Sequence, residues 1–391
     1  MKIENAKEFF PTLESLRGVA ALLVVIFHVN VKWNTHVHSW DFVRNSYLFV
    51  DFFFVLSGFV ISHHYSEKLV TLKGVATFIR LRFWRLYPLH LVTLIAFATF
   101  VCVKMLVARK LGIEWIDTDE NTTFSFLTNL TLVHSLGLHH TLTFNAPSWS
   151  ISVEFFTYVV FAFVILLSLH RKNVVRCSLF LCTTTAIILF SVDNRRFFEL
   201  TYDYGFPRCI FGFFVGILVQ KFSSHIRRPP YGGTLGIGGN LAEIAVLFST
   251  VLVVSFVKTH VLLPFISVLV FGLVILIFSF PSSTLVSRAL QNKVPLHLGK
   301  ISYSIYLWHW VVVSCVSGIL SGLGRVPKGS DTHGEYAAIS PIFGDMLMIV
   351  TLLLIIAISS LSYPLIEKKY RDWSRATNLH STTSVKLLTL S

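Results

Sequence analysis

Ten stretches of this chain are long and apolar enough to cross a hydrocarbon core, and no other feature limits its fold as much. They fall at roughly 16–34, 47–63, 86–107, 147–169, 174–192, 206–220, 241–257, 261–280, 300–320 and 340–363. A spanning helix needs about 20 mostly apolar residues. Inside a bilayer only helices and closed barrels satisfy their own backbone groups. The sequence therefore predicts an all-α fold, a polytopic membrane helical bundle of about ten transmembrane helices. Composition agrees: 54% of the 391 residues are apolar and 14% are charged, against about 25% charged in soluble domains. Residues 1–375 are expected to form one integral membrane domain, with 376–391 a polar cytoplasmic tail. The opening MKIENAKEFFPTLESLRG is polar and acidic, which does not read as a secretory signal.

The net charge is +13, from 33 Lys and Arg against 20 Asp and Glu. In a soluble protein that would suggest nucleic acid. Here no basic run belongs to a soluble module, so no nucleic-acid partner is expected, and the charge reads as the cytoplasmic bias of basic loops. With the amino terminus inside, about two thirds of the 33 Lys and Arg face the cytoplasm, and the opposite orientation inverts the bias. Both termini are thus placed inside a multi-pass protein of the plasma or inner membrane. The longest outer loop, 108–146, carries Glu114, Asp117, Asp119 and Glu120; loops of that length are usually functional. The Gly-rich run 231–240 lacks the Lys-Ser/Thr of a phosphate loop and reads as a flexible connection. The five cysteines have no metal-ligand spacing with a histidine, and neither a metal nor a permanently bound cofactor is expected.

Ionisable groups at membrane depth are the functional candidates, because hydrocarbon makes them costly unless paired or used. Four stand out: His28, Asp51, Glu154 and His309. Helix rise places them roughly 15–22 Å from the cytoplasmic edge. They are expected in one layer near the midplane, as a site or a proton relay. The bland alternative is four separately satisfied core residues. His28 follows Arg17 by eleven positions, which is about 20° past three helical turns, so both leave the same helix face. A ligand with an anionic head and a long reactive arm, such as acyl-CoA, would bridge them. Arg82 and Arg85 lie three apart, on one face if helical. Their guanidinium forks suit phosphates, although all three arginines also read as membrane-surface anchors.

These residues fall in recognisable blocks. Leu13-Glu14-Ser15-Leu16-Arg17-Gly18, followed by His28, resembles the first-span signature of the acyltransferase-3 family of integral membrane acyltransferases. Asp51-Phe52-Phe53-Phe54-Val55-Leu56-Ser57-Gly58 resembles its second-span pattern, and Arg82-x-x-Arg85-x-x-Pro88 its cytoplasmic arginine motif. Trp149-Ser150-Ile151-Ser152-Val153-Glu154, the run from Gly299 to His309, and Glu367-Lys368-Lys369-Tyr370 complete six blocks in the family's order. Ser15 stands where glycine is usual, and Phe155 where many members carry a second acid.

The resemblance implies O-acylation, acetylation in the first instance, of a carbohydrate hydroxyl on a lipid-linked or surface polysaccharide. Cytoplasmic acetyl-CoA or another acyl-CoA would be the donor substrate. Within it His28 would be a general base or a covalent acyl carrier, with His309 in the same late motif. Asp51 or Glu154 would orient the imidazole, as in triad logic. Arg17, Arg82 and Arg85 would hold CoA phosphates. Trp149 and Trp308 would stack on sugar faces, with Ser150 beside them, unless they serve as interface packing. The alternative from another class is a proton-coupled transporter or flippase for a glycan or anion; the paired broken helices common in such proteins are not evident.

Overall fold

The structure is a computed structural model that describes residues 9–110, 112, 120–168, 171–192, 196–226, 236–322, 326–331 and 334–377. All ten apolar stretches form helices: α1 Pro11–Lys32, α2 Phe49–Tyr65, α3 Leu72–Lys110, α4 Trp149–Leu167, α5 Arg171–Val192, α6 Gly205–Ser223, α7 Gly236–Ser255, α8 Leu263–Phe278, α9 Ser302–Gly322 and α10 Pro341–Ser362. Among the described residues nine helices are long and apolar enough to cross a membrane, while α8 is a shorter apolar helix. The protein is an all-α polytopic membrane bundle. Asp117, Asp119 and Glu114 of the long loop, most of the Gly-rich run and the tail beyond residue 377 lie outside the described residues.

Two helices are longer than their hydropathy suggested. α3 begins at Leu72 rather than near residue 86 and runs for 39 residues, because arginine is a good helix former even where it is too polar to mark a span. Arg80, Arg82 and Arg85 are therefore helical. Pro88, inside α3, removes only one backbone hydrogen bond from a long ladder. The last helix also runs on, as helix to Thr377. It passes there through a π-helical turn, Tyr363–Lys368, which absorbs Pro364.

Between lipid-facing helices there is no hydrophobic drive to associate, so close packing of small residues and internal hydrogen bonds hold the bundle. The α2–α6 seam illustrates this. A Cβ at Gly58 would sit 1.9 Å from the Phe213 carbonyl oxygen, and one at Gly216 would sit 2.0 Å from that of Val55. Backbone meets backbone there, and Val55, Phe59, Phe213 and Phe214 beside it are fully buried. Phe180, Ile187 and Phe190 on α5 and Phe248 on α7 stay exposed, as lipid-facing residues should.

The two ends of the bundle differ. The end reached by the start of α1, the end of α2 and the start of α3 collects arginines and lysines and is called the basic end below. There a buried carboxylate, Glu243 of α7, accepts hydrogen bonds from Thr284 Oγ1 at 2.5 Å and from Ser287 Oγ at 2.7 Å, tying the short helix Leu285–Leu290 to the bundle. At the far end lie the helix Thr123–Leu130 and an antiparallel hairpin, Lys328–Asp331 with Gly334–Ala337. Trp33, just past α1, bridges to Ala337 of the hairpin.

Gly216→Val should abolish recovery of monodisperse protein after detergent extraction, because backbone on both sides cannot yield. Gly238→Val, where nothing lies within 4 Å of the added carbon, should be recovered at a normal level on size-exclusion chromatography.

Candidate active site

A cavity of about 170 Å³ opens between α1, α2, α3, α4 and α9. Its basic-end rim is made by Arg17, Arg82 and Arg85; its walls are largely apolar, with Phe53, Phe54 and Ile151; its polar lining includes Ser57, Glu154, Tyr158, Ser150 and Tyr306. Two further recesses at the basic end share Arg17 and Arg85 with it. One, of about 240 Å³, adds Lys68, Arg371 and Arg375. The other, of about 690 Å³, adds Lys293, Lys300 and Arg371. These further cations carried no signal in the sequence beyond loop charge, since their convergence depends on how α10 and the 293–300 helix fold back beside α1.

The rim is built by close packing. A Cβ on Gly18 would meet Gly299 N at 2.6 Å, and one on Gly299 would meet the Glu14 carbonyl oxygen at 1.9 Å. The first and last motif glycines thus lock α1 against the helix Lys293–Lys300. Arg17, next to that seam, donates to Glu14 at 3.1 Å. Arg82 and Arg85 share a face, but their surroundings differ. Arg82 donates to Tyr65 Oη at 2.9 Å and lies over that ring, with its Nε enclosed and unpartnered. Arg85 donates to the buried carboxylate of Glu367, which also accepts from Ser304 Oγ at 3.1 Å. The π-helical turn carries Glu367 into this position. Only Arg82 keeps a donor enclosed without a protein acceptor among these arginines.

The four ionisable groups do not bond to one another as a single cluster; they divide into three local arrangements. The imidazoles do meet. His28 Nδ1 lies 2.9 Å from the Val24 carbonyl oxygen and 3.3 Å from His309 Nε2. A carbonyl only accepts, so His28 Nδ1 carries the proton and Nε2 keeps its lone pair. The rings of His309 and Tyr306 are 5.6 Å apart, and Tyr306 lines the cavity, so the Tyr306 side chain stands between the pair and the cavity. Trp310 presents an edge contact to His28 at 5.2 Å.

Asp51 goes elsewhere. Both of its carboxylate oxygens accept from Arg208 of α6, at 2.9 and 2.8 Å, and Arg208 also donates to the Leu200 carbonyl at 3.0 Å. Asp51 and Arg208 are almost wholly buried. The carboxylate, held by both oxygens, neutralises that arginine, and neither oxygen bonds an imidazole among the described residues. Arg208 was missed because it sits just inside the predicted stretch 206–220, where a cation ordinarily marks an interface. The available signal was an arginine within Phe206-Pro207-Arg208-Cys209-Ile210 and an aspartate on another span in need of a partner. Glu154 forms the third arrangement: its Oε1 accepts from Ser57 Oγ at 2.7 Å and from Tyr158 Oη at 2.6 Å, on the cavity wall.

Of the expected sugar contacts, Trp149 is buried, with the Arg208 guanidinium 5.2 Å from its ring centre. Its face is thereby used in packing. Ser150 shares a 2.9 Å hydrogen bond with Tyr306 Oη on the cavity wall. Trp308 is partly buried, and its indole N–H is enclosed without a partner. The far-end segment 131–148 lies against this region: Asn145 Nδ2 donates to the Leu307 carbonyl at 3.1 Å, and His134 bonds with Ser148 Oγ at 3.2 Å. Burial, with the neighbouring His90, pushes His134 down to about 3, so it stays neutral there. No group of three or more His, Cys, Asp or Glu among the described residues is arranged to hold a metal ion.

Over residues 10–369 the chain matches the acyltransferase domain family. Protein 2 in picA locus, from Rhizobium radiobacter, is 33% identical over 169 residues, covering 41% of this chain and 84% of that protein. O-acetyltransferase OatA of Staphylococcus aureus is 24% identical over 333 residues, covering 79% of this chain, which spans about half (51%) of OatA's length. Acyltransferase MdmB of Streptomyces mycarofaciens is 31% identical over 158 residues, 39% of this chain and 38% of that protein. No solved structure matches the chain.

The pairing of Asp51 with Arg208 makes a stability prediction. Asp51→Ala leaves a buried guanidinium uncompensated and should cost about 3–5 kcal/mol. Replacing both residues together, Asp51→Leu with Arg208→Met, should recover most of that loss. Thermal unfolding of the three variants in one detergent checks it; a double variant no better than Asp51→Ala would show that the pair is not the source of the loss.

Proposed function

The chain belongs to the acyltransferase domain family, and on that premise we propose that it moves an acyl group, acetyl in the first instance, from cytoplasmic acyl-CoA to a carbohydrate hydroxyl. The observation that carries this reading is a cavity with arginines at its mouth and apolar walls, and a histidine pair packed behind Tyr306 of its lining. The basic end is then the cytoplasmic end, with both termini on that side, in the plasma or inner membrane. Residues 1–375 act as one membrane domain.

CoA phosphates rest on Arg17, Arg82 and Arg85, and the lysines and arginines of the adjoining recesses add positive charge for the nucleotide. Eleven residues of α1 separate Arg17 from His28, about 16 Å of helix, comparable to an extended pantetheine arm. Ser57, Tyr158 and Glu154 offer the arm's amides hydrogen bonds on the way. Arg85 is held by Glu367, so it contributes field and shape at the mouth more than a free fork.

At the inner end His28 Nε2 takes the proton from the acceptor hydroxyl as that oxygen attacks the thioester carbonyl. The tetrahedral adduct collapses, the carbon–sulfur bond breaks, and the departing thiolate recovers the proton from His28. The Val24 carbonyl and His309 hold the ring in the tautomer this requires. Asp51 has no part in the chemistry; it keeps Arg208 neutralised. The acceptor is a carbohydrate, lipid-linked or on a surface polysaccharide, approaching from the far end.

Two measurements test this. In sealed vesicles of known orientation, the wild-type protein should release CoA thiol and acylate an acceptor only when acetyl-CoA is on the basic-end side. His28→Ala, inserted at the same level, should lose about 10²–10⁴-fold of that rate. Thiol release from either face, or near-normal transfer by His28→Ala, would overturn the reading, and glycan movement without thiol release would favour a transporter. Separately, Arg82→Lys should raise the KM for acetyl-CoA about tenfold while leaving the acceptor's KM in place, because a point charge does not replace a planar fork. An unchanged donor KM would make Arg82 a membrane anchor.

A further inference from the structure

α1 ends at Lys32, one helical turn beyond His28 and on nearly the same face. A lysine at the end of a membrane helix ordinarily extends its ammonium toward the headgroups. Lys32 does not. It is partly buried, with Nζ 4.9 Å from the ring centre of Trp310. Trp310 in turn meets His28 edge-on at 5.2 Å. Lys32, Trp310 and His28 therefore form one continuous surface on the far-end side of the histidine pair, away from the arginine-lined mouth.

The charge around this surface is unbalanced. Among the described residues no carboxylate makes an ion pair with Lys32; the charges acting on it are Lys104 and Glu120, one of each sign. Neighbouring far-end groups are paired instead: His36 with Asp345 at 2.5 Å, and His38 and Arg44 with Asp331 at 3.6 and 3.4 Å. Among the described residues one positive charge is left over beside an indole, about 6 Å along the helix axis from the proposed base. That distance is close to the length of one hexose ring.

We infer that Lys32 is the anion-binding element of the acceptor subsite, and that the acceptor carries an oxyanion within about one sugar residue of the hydroxyl that is acylated. This rests on the transferase reading for the identity of the far end as the acceptor side. The recognised chemistry is a carboxylate or a phosphate monoester. It comes from an acidic sugar or from the phosphate of a lipid carrier. Trp310 supplies apolar contact for the ring next to it, and its position fixes the ammonium, so the oxyanion meets a cation already in place.

The experiment is equilibrium binding to the full chain in lipid nanodiscs, with no acyl-CoA present. Two matched probe pairs are used: digalacturonic acid against its uncharged dimethyl ester, and undecaprenyl phosphate against undecaprenol. The wild-type protein should prefer the anion of one pair about tenfold, Lys32→Gln should reduce that preference to about twofold or less, and Lys32→Arg should restore it. The pair that responds identifies the source of the anion. Equal binding of the uncharged probe to all three variants verifies that the subsite is intact. No anion preference in either pair, or a preference that survives Lys32→Gln, overturns the inference. Because binding needs no donor, a protein that shows the preference but never releases CoA thiol would refute the transferase reading alone.

Discussion

Hydrocarbon cannot solvate charge, and every ionisable group in this bundle is placed under that constraint. Asp51 and Arg208 satisfy it by pairing across α2 and α6. Arg85 and Glu367 satisfy it across α3 and the π-helical extension of α10. Glu243 satisfies it without a cation, through hydroxyls and a backbone N–H at the start of a short helix. Such pairs are weak sources of net stability, because desolvation offsets most of the attraction. Their effect is on register: breaking one costs far more than making it gains, so helices that carry them are held at one depth and one rotation.

Against that background the groups that are not fully compensated become informative. The Arg82 Nε has no acceptor, and the recesses around Arg17 collect more lysines and arginines than carboxylates. A bundle that neutralises charge wherever it can has left positive potential at one mouth, which is where a polyanionic donor would bind. The histidine pair lies beyond the apolar walls, behind Tyr306. The backbone carbonyl of Val24 selects the His28 tautomer through a contact made within the same helix, so the first helix alone supplies one imidazole of the pair, its orientation and one of the arginines at the mouth.

The geometry of the site depends on backbone approach as much as on side chains. The Gly18–Gly299, Gly58–Phe213 and Gly216–Val55 contacts bring main chains together at distances that exclude any Cβ. In lipid, where apolar side chains gain nothing by leaving one apolar medium for another, such seams supply the dispersion contacts that fix helix positions. They set the spacing of α1 from the helix Lys293–Lys300 and of α2 from α6. The π-helical turn at Tyr363–Lys368 has a similar role, since the extra residue in its turn rotates Glu367 toward Arg85.

Much of this was legible in the sequence, for definite reasons. Span number follows from the thickness of hydrocarbon, and helical structure from the need to satisfy backbone groups, so ten apolar stretches determined the class of fold. A fixed rise and rotation per residue puts Arg17 and His28 on one face of the first helix. His28 and His309 were each conspicuous as imidazoles among apolar neighbours. What composition could not decide was pairing. Asp51 and Glu154 looked equivalent, yet one meets an arginine on α6 and the other a serine and a tyrosine at the cavity wall. Arg82 and Arg85 looked like one motif, yet a glutamate 282 residues away captures only the second. Lys32, inside the first apolar stretch, carried no signal of its own and became part of a surface shared with Trp310 and His28. Rise, rotation and hydropathy are properties of one helix and are written in its own residues, whereas the partner of a buried charge depends on which helix lies beside it, at what depth and in which rotation, and those are settled only when all the helices pack together.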